Sequence, residues 1–165
     1  MIATTNDNGQ LTWSPAPEAC RHAVIADLYR YWLGRQAETG RLPARADFDP
    51  LTMRKALGNV ALIEVHRDPL RFRIRLAGTN QASRLDRDPT GQWLDEMDAP
   101  EYRMLLIGRL TAIVRDPAPL LVHNRQLLDE RWYDYEVIWL PLANDGRTVD
   151  MVMACQIFAD ATPTD

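Results

Sequence analysis

Residues 132–158 read WYDYEVIWLPLANDGRTVDMVMACQIF. Two runs rich in β-branched and aromatic residues flank Asp145-Gly146, a dipeptide suited to a tight hairpin turn. Closing the chain there sets Trp139 opposite Val152, Val137 opposite Ala154 and Tyr135 opposite Gln156. A second turn at Asp129-Glu130 sets Val122 opposite Val137 and Asn124 opposite Tyr135. Successive side chains in a strand point to opposite faces, so these turns sort the residues into two sets. One face carries Asn124, Tyr133, Tyr135, Val137, Trp139, Ala154 and Gln156. The other carries Leu121, Ile138, Leu140, Met151 and Met153, with two cross-strand pairs, His123 with Glu136 and Arg125 with Asp134. An antiparallel sheet with one wet side shows one polar face. Here both faces are apolar, so both need cover.

Upstream, Ala61–His66 and Arg71–Leu76 form another hairpin around Asp68-Pro69. Val65 then faces Phe72, Ile63 faces Ile74 and Ala61 faces Leu76. The reverse side pairs His66 with Arg71, Glu64 with Arg73 and Leu62 with Arg75. Helical stretches accompany the strands. From Glu18 to Glu38, after a start signal at Ser14, Pro15 and Pro17, the residues Cys20, Val24, Leu28, Tyr31 and Trp32 make an apolar stripe that Gly40 ends. Asp49-Pro50 opens a short helix stopping at Gly58. Asp98-Ala-Pro-Glu101 has capping-box spacing and opens a helix to about Arg115, with Tyr102, Leu105 or Leu106, Leu110 and Ile113 as its stripe. A short helix and loop fill Asn80–Met97. The expected fold is α+β: a five-stranded antiparallel sheet with helices on one face, and the N-terminal helix on the other face or at a dimer interface. Residues 1–14 read as a flexible arm, 15–160 as one domain including helix 18–39, and 161–165 as a tail.

With 165 residues, 46% hydrophobic and 25% charged, the chain matches one globular domain. Its apolar runs fall far short of the roughly 20 residues a membrane helix needs, and its start lacks the features of a secretory leader; the expected location is cytoplasmic. A net charge of −4 argues against a general nucleic-acid binder, and the preference for arginine over Lys55, the single lysine, reads as genome composition. Cys20 and Cys155 are too few and too far apart for a disulfide framework or zinc cluster.

The stretches LYRYW…GRLPARADFDPLTMRKALG, RFRIRLAGT, RDPTGQWLDE and YEVIWLPLANDGRTVDMVMACQIF, in that order over roughly residues 20 to 160, resemble the PAS domain family, specifically the short single-domain bacterial proteins of its family 5 type. The resemblance implies a stand-alone sensory or signalling module, not an enzyme. It also implies a cleft between sheet and helices, frequent homodimerisation, and an unidentified signalling partner acted on in trans. Pro141 matches a proline that tends to lie on the inner face of the penultimate strand. The residues expected to line the cleft are therefore Asn124, Tyr133, Tyr135, Val137, Trp139, Ala154 and Gln156, with Leu106 and with Trp93 as a lid. Val24, Leu28, Tyr31, Ile138 and Met153 are assigned to the helix-packing or dimer face. The chain departs from the haem- and flavin-binding members: Asn80–Asp88 holds no histidine, and neither cysteine sits in an Asn-Cys-Arg setting. No cofactor is identifiable, and the expected ligand is an unidentified small apolar or aromatic molecule.

Each candidate has a plainer alternative. His123 with Glu136 has the makings of an acid–base pair and of an ordinary cross-strand contact. Asn124, Tyr135 and Gln156 suit a polar spot in an apolar pocket, or mutual hydrogen bonding. Arg71, Arg73 and Arg75 suit an anionic partner or a solvated face. Arg84 and Arg87 suit an anionic ligand at the cleft mouth, or are ordinary surface arginines. No residue is assigned a catalytic or metal-binding role. The competing readings are a ligand-free dimerising adaptor and a small enzyme using His123 and Glu136.

Overall fold

The computed structural model describes residues 4–5, 9–84, 87–128 and 131–159. A single antiparallel sheet organises the chain. Its strands are β1 (Thr4–Thr5), β2 (Gln10–Trp13), β3 (Val60–His66), β4 (Arg71–Ala77), β5 (Leu120–Leu128), β6 (Arg131–Leu142) and β7 (Met151–Phe158). The order across the sheet is β4-β3-β7-β6-β5, with β1 and β2 both on the free edge of β5. The helices are α1 (Ala23–Thr39), α2 (Thr79–Arg84) and α3 (Pro100–Arg115).

The five central strands and the α+β class match the sequence reading; the two extra strands do not. Gln10–Trp13, expected in a loose arm, pairs with His123–Leu120. The outer edge of β5 presents unpaired N–H and C=O groups, and even a polar segment gains by satisfying them. The remainder of the arm (residues 1–3 and 6–8), the Asp129-Glu130 turn and the tail from 160 onward lie outside the described residues.

Two apolar layers sandwich the sheet. On one side α1 buries Ile25, Leu28, Tyr29 and Trp32 against Leu121, Ile138, Leu140, Met153 and Cys155. On the other, α3 buries Leu106, Leu110 and Ile113 against Val122, Val137, Trp139 and Val152. The alternation read from residues 132–158 thus places each set on its own core. Polar tips fasten α1 to the domain: the Trp32 indole N–H donates to the Pro141 carbonyl at 3.0 Å, and the Tyr29 hydroxyl donates to that of Pro15 at 2.8 Å. The helix-packing set of Val24, Leu28, Tyr31, Ile138 and Met153 belongs to this core, with Val24 and Tyr31 only partly buried.

Three local expectations need correction. The proline signal makes only a 3-10 turn at Pro17–Ala19, and α1 begins at Ala23. Asp49 does cap, accepting the Thr52 N–H at 2.8 Å, but the chain behind it forms successive turns and a 3-10 helix at Leu57–Asn59. For α3 the cap position falls on Ala99, with Pro100 inside the first turn; no side chain caps it, so the capping box read at Asp98 does not form. At the other end of α1, Gly40 adopts the left-handed conformation (φ 66°) that a side chain resists.

Register departs from expectation twice. The β5–β6 and outer β3–β4 pairs fall as read, including Val122 with Val137 and Ile63 with Ile74. Between β6 and β7 the pairing is displaced by two: Trp139 faces Ala154, Val137 faces Gln156 and Tyr135 faces Phe158. The turn is wider than a two-residue hairpin. Residues 143–150 form a loop closed by the Asp150 N–H on the Leu142 carbonyl (3.1 Å) and braced by the Asp150 carboxylate on the Asn144 N–H (2.7 Å). A slip of two keeps every side chain on its face, so the sorting survives while the rows change. In β3–β4 an irregularity between Leu62 and Ile63 leaves Arg75 as the extra residue, so Ala61 faces Ala77 and Leu62 faces Leu76. A bulge of this kind reverses the alternation beyond it.

Candidate functional site

Those two register changes shape a hollow between the sheet and α3. One row across the inner face now reads Ala77, Ala61, Ala154, Trp139. Three neighbouring strands contribute only a methyl group each, leaving unfilled space between sheet and α3. With the register read from sequence, Leu76 would face Ala61 and occupy that floor. A cavity of about 440 Å³ results, within the roughly 300–1,000 Å³ typical of small-molecule sites. Ile63, Ile74, Leu94 and Leu106 form its apolar walls; Tyr102, Met97 and Asp98 bound it on the α3 side, and Gln81, Arg84, Arg87 and Pro89 on the side of α2 and the loop behind it.

Of the expected cleft residues, Leu106, Trp139, Ala154 and Gln156 line the cavity. Tyr135 and Val137 lie on the same face but are packed into the core, Tyr135 with its ring 5.6 Å from that of Phe158. Tyr133 stands edge-on to Phe158 at 6.5 Å, beside the opening. Asn124 is crossed by the N-terminal segment: a Cβ on Gly9 would lie 2.7 Å from its Nδ2. The expected cluster of Asn124, Tyr135 and Gln156 does not assemble, because the displaced register puts Gln156 in the row of Val137. Trp93 is not a lid. It bridges to Arg73 at the β4 edge, on the sheet side away from the cavity, and lies under the Arg71 guanidinium at 4.1 Å. Its neighbour Leu94 points inward instead.

Gln126, Phe158 and Tyr102 line the cavity and were not assigned to it from sequence. Gln126 and Phe158 were legible there, each two residues beyond a residue already assigned to the inner face. Tyr102 was read only as part of the α3 stripe.

The lining mixes polar with apolar side chains, and the Gln81 amide donates to the Asn59 carbonyl at 2.8 Å. The Trp139 indole Nε1 is buried without a hydrogen-bond partner in a side chain only 6% exposed. Neither the Gln126 nor the Gln156 side chain makes a hydrogen bond among the described residues. The Arg84 guanidinium lies 3.8 Å over the Phe158 ring and 5.6 Å over that of Tyr133, and burial lowers its pKa. Burial pushes the Tyr102 hydroxyl up to about 12, with the Tyr135 hydroxyl adding in the same sense and Arg109 opposing.

His123 and Glu136 meet, but elsewhere. They sit on the α1 side of the sheet, with side chains 10% and 1% exposed. The Glu136 carboxylate accepts the Arg21 N–H at 2.7 Å and the His22 N–H at 3.0 Å, and shares a hydrogen bond with His123 Nε2. It thereby caps the start of α1 from 114 residues away, at the helix end where the dipole favours negative charge. The pair makes no contact with the cavity, and the structure assigns it a structural role.

The arginine stripe is likewise engaged within the chain. Arg71 binds Asp95 bidentately at 2.6 and 2.8 Å and reaches Glu96 at 3.0 Å, Arg73 Nε donates to the Gly91 carbonyl, and Arg75 lies 3.7 Å from Glu64. Both thiols are weak acids: burial first, and then the Glu136 charge, pushes Cys20 up to about 11 and Cys155 to about 12. Among the described residues no group of three His, Cys, Asp or Glu side chains is placed to hold a metal ion, and no helix is long and apolar enough to cross a membrane.

Comparison with known proteins agrees with this architecture. No curated protein and no solved structure gives a significant match to the chain. A family model described as PAS domain matches residues 20–156, spanning all five central strands except the end of β7, as well as all three helices. The chain therefore belongs to the PAS domain family.

Proposed function

We propose that the chain is a sensory PAS domain that takes a small ligand, with an apolar or aromatic body, into the cavity over Ala61, Ala77 and Ala154. It passes occupancy to a separate signalling protein. The observation that carries this reading is the cavity itself: 440 Å³ of space kept open by three alanines in one row of the central sheet. A pre-formed and largely apolar cleft of this size, edged by a few polar groups, has the character of a small-molecule site.

Strand β6 supplies a route for the signal. Trp139 lines the cavity, while Ile138 and Leu140 on the opposite face pack under α1 and Glu136 caps that helix. A ligand that displaces β6 alters the seat of α1, and it shifts the helix only by as much as it prefers one arrangement over the other. We place the output, through a homodimer or a partner, on the exposed side of α1.

The adaptor alternative requires a filled interior, which the cavity opposes. The enzyme alternative requires His123 and Glu136 in the cavity, and they lie behind the sheet.

The test is native mass spectrometry of protein purified from its own source, paired with hydrogen exchange across residues 23–39 before and after ligand stripping. We expect a released small molecule and a change of exchange in α1. A chain carrying nothing, and whose α1 exchange responds to no compound that enters the cavity, refutes the reading.

A further inference from the structure

We infer that the ligand is an amphipathic organic carboxylate, its apolar body over the alanine floor and its carboxylate beside Arg84. This rests on the sensory reading above and narrows it. The first observation is the pair of amides on the lining. Gln126 and Gln156 each carry an N–H able to donate to an ionised carboxylate, which only accepts. The Trp139 N–H, sealed within the packing, is not among them.

The second observation is charge at the opening. Arg84 is held flat against Phe158 by ring stacking, not by a carboxylate, and forms no ion pair among the described residues. Arg87 makes a long contact of 3.3 Å to Gln92 and no other hydrogen bond among the described residues. The first turn of α3 meets the cavity at Ala99 and Tyr102 without a side-chain cap, so the positive end of a sixteen-residue helix points the same way. Against these stand Asp98, on the lining, and Glu101, in that first turn. Among the described residues two guanidinium groups line the cavity against one carboxylate, and one of the two lies over a ring that partly excludes water. A guanidinium there gains a bidentate partner from a carboxylate, which an alcohol does not supply.

Size follows from the volume. Liquid water takes about 30 Å³ per molecule, so 440 Å³ accommodates on the order of fifteen non-hydrogen atoms. That suits a medium-chain or phenyl-substituted acid better than a nucleotide or a haem.

The experiment uses the full chain, stripped of bound small molecules, and four probes: decanoate, decanol, 4-phenylbutyrate and 4-phenylbutanol, titrated calorimetrically below their aggregation limits. We expect each acid to bind at least about tenfold more tightly than its alcohol, as one charge-assisted contact implies. Arg84→Met keeps the apolar stem and removes the charge. It should lose that tenfold for the acids and leave the alcohols within about threefold. Acids and alcohols binding alike, or Arg84→Met leaving the acids unchanged, overturns the carboxylate assignment while sparing the cavity as a receptor. Binding of none of the four overturns it too; the receptor reading then stands or falls separately on the native mass spectrum.

Discussion

Replacing Ala154 by Leu tests whether the alanine floor is open. Ala154 is 4% exposed, faces Trp139 and Ala61 in the central row, and lines the cavity. Leucine adds three carbons. At about 0.8 kcal/mol per buried CH₂ the added burial is worth ~2.4 kcal/mol as an upper bound. Restricting its rotamers costs about 0.5–1 kcal/mol. The net expectation is a stabilisation of roughly 1.5 kcal/mol, which for a chain of this size raises Tm by about 3–6 °C. The control is Val122→Leu. Val122 lies on the same face, fully buried, and does not line the cavity, so the extra methylene is overpacked and should cost about 1–3 kcal/mol. Urea melts and calorimetric scans of the ligand-stripped proteins measure both. Affinity for cavity ligands should fall at least about tenfold in Ala154→Leu, since the side chain takes their space. If Ala154→Leu destabilises as much as Val122→Leu, the floor is already filled, and the cavity account fails with it.

Other consequences are checked separately. Glu136→Gln should destabilise the fold by about 2–4 kcal/mol, because an amide cannot accept three donors on the same two atoms; the loss should show first as faster hydrogen exchange in the first turns of α1. Ile138→Asp should unfold the chain outright by circular dichroism, not merely dissociate an assembly, since Ile138 is fully buried under α1. Stability should decline above about pH 9. The Cys20, Cys155 and Tyr102 protons ionise at higher pH in the folded chain (about 11, 12 and 12) than in the unfolded one (9, 9 and 10), so the protonated fold is favoured below the lower values and loses that advantage as pH rises through the upper ones. A Tm that rises between pH 9 and 11 contradicts this. By the same displacement, Cys20 should react with a disulfide reagent at pH 8 at least about tenfold more slowly than an unperturbed thiol.

Sequence alone determined the class of fold, the strand order along the chain and the face on which the described side chains of β5, β6 and β7 lie. These are properties of local alternation, and alternation of period two survives a register slip of two. That is why Trp139, Ala154 and Gln156 were found among the cavity residues although their row partners were misjudged. What lay beyond the sequence was which residues share a row. The 143–150 loop is wider than its Asp-Gly pair announces, being closed by hydrogen bonds to Asp150, and the bulge at Arg75 exchanges Leu76 for Ala77 over the floor. Trp93 was misplaced for a similar reason: its orientation follows from a bridge to Arg73 across a segment with no periodicity of its own. The backbone leading into α1 is held by a carboxylate 114 residues further along the chain. Each of these turns on contacts between distant segments. The tertiary structure therefore decided that the domain has a hollow, where it lies and what lines it, because a cavity is what several strands jointly leave unfilled and no single stretch of chain records it.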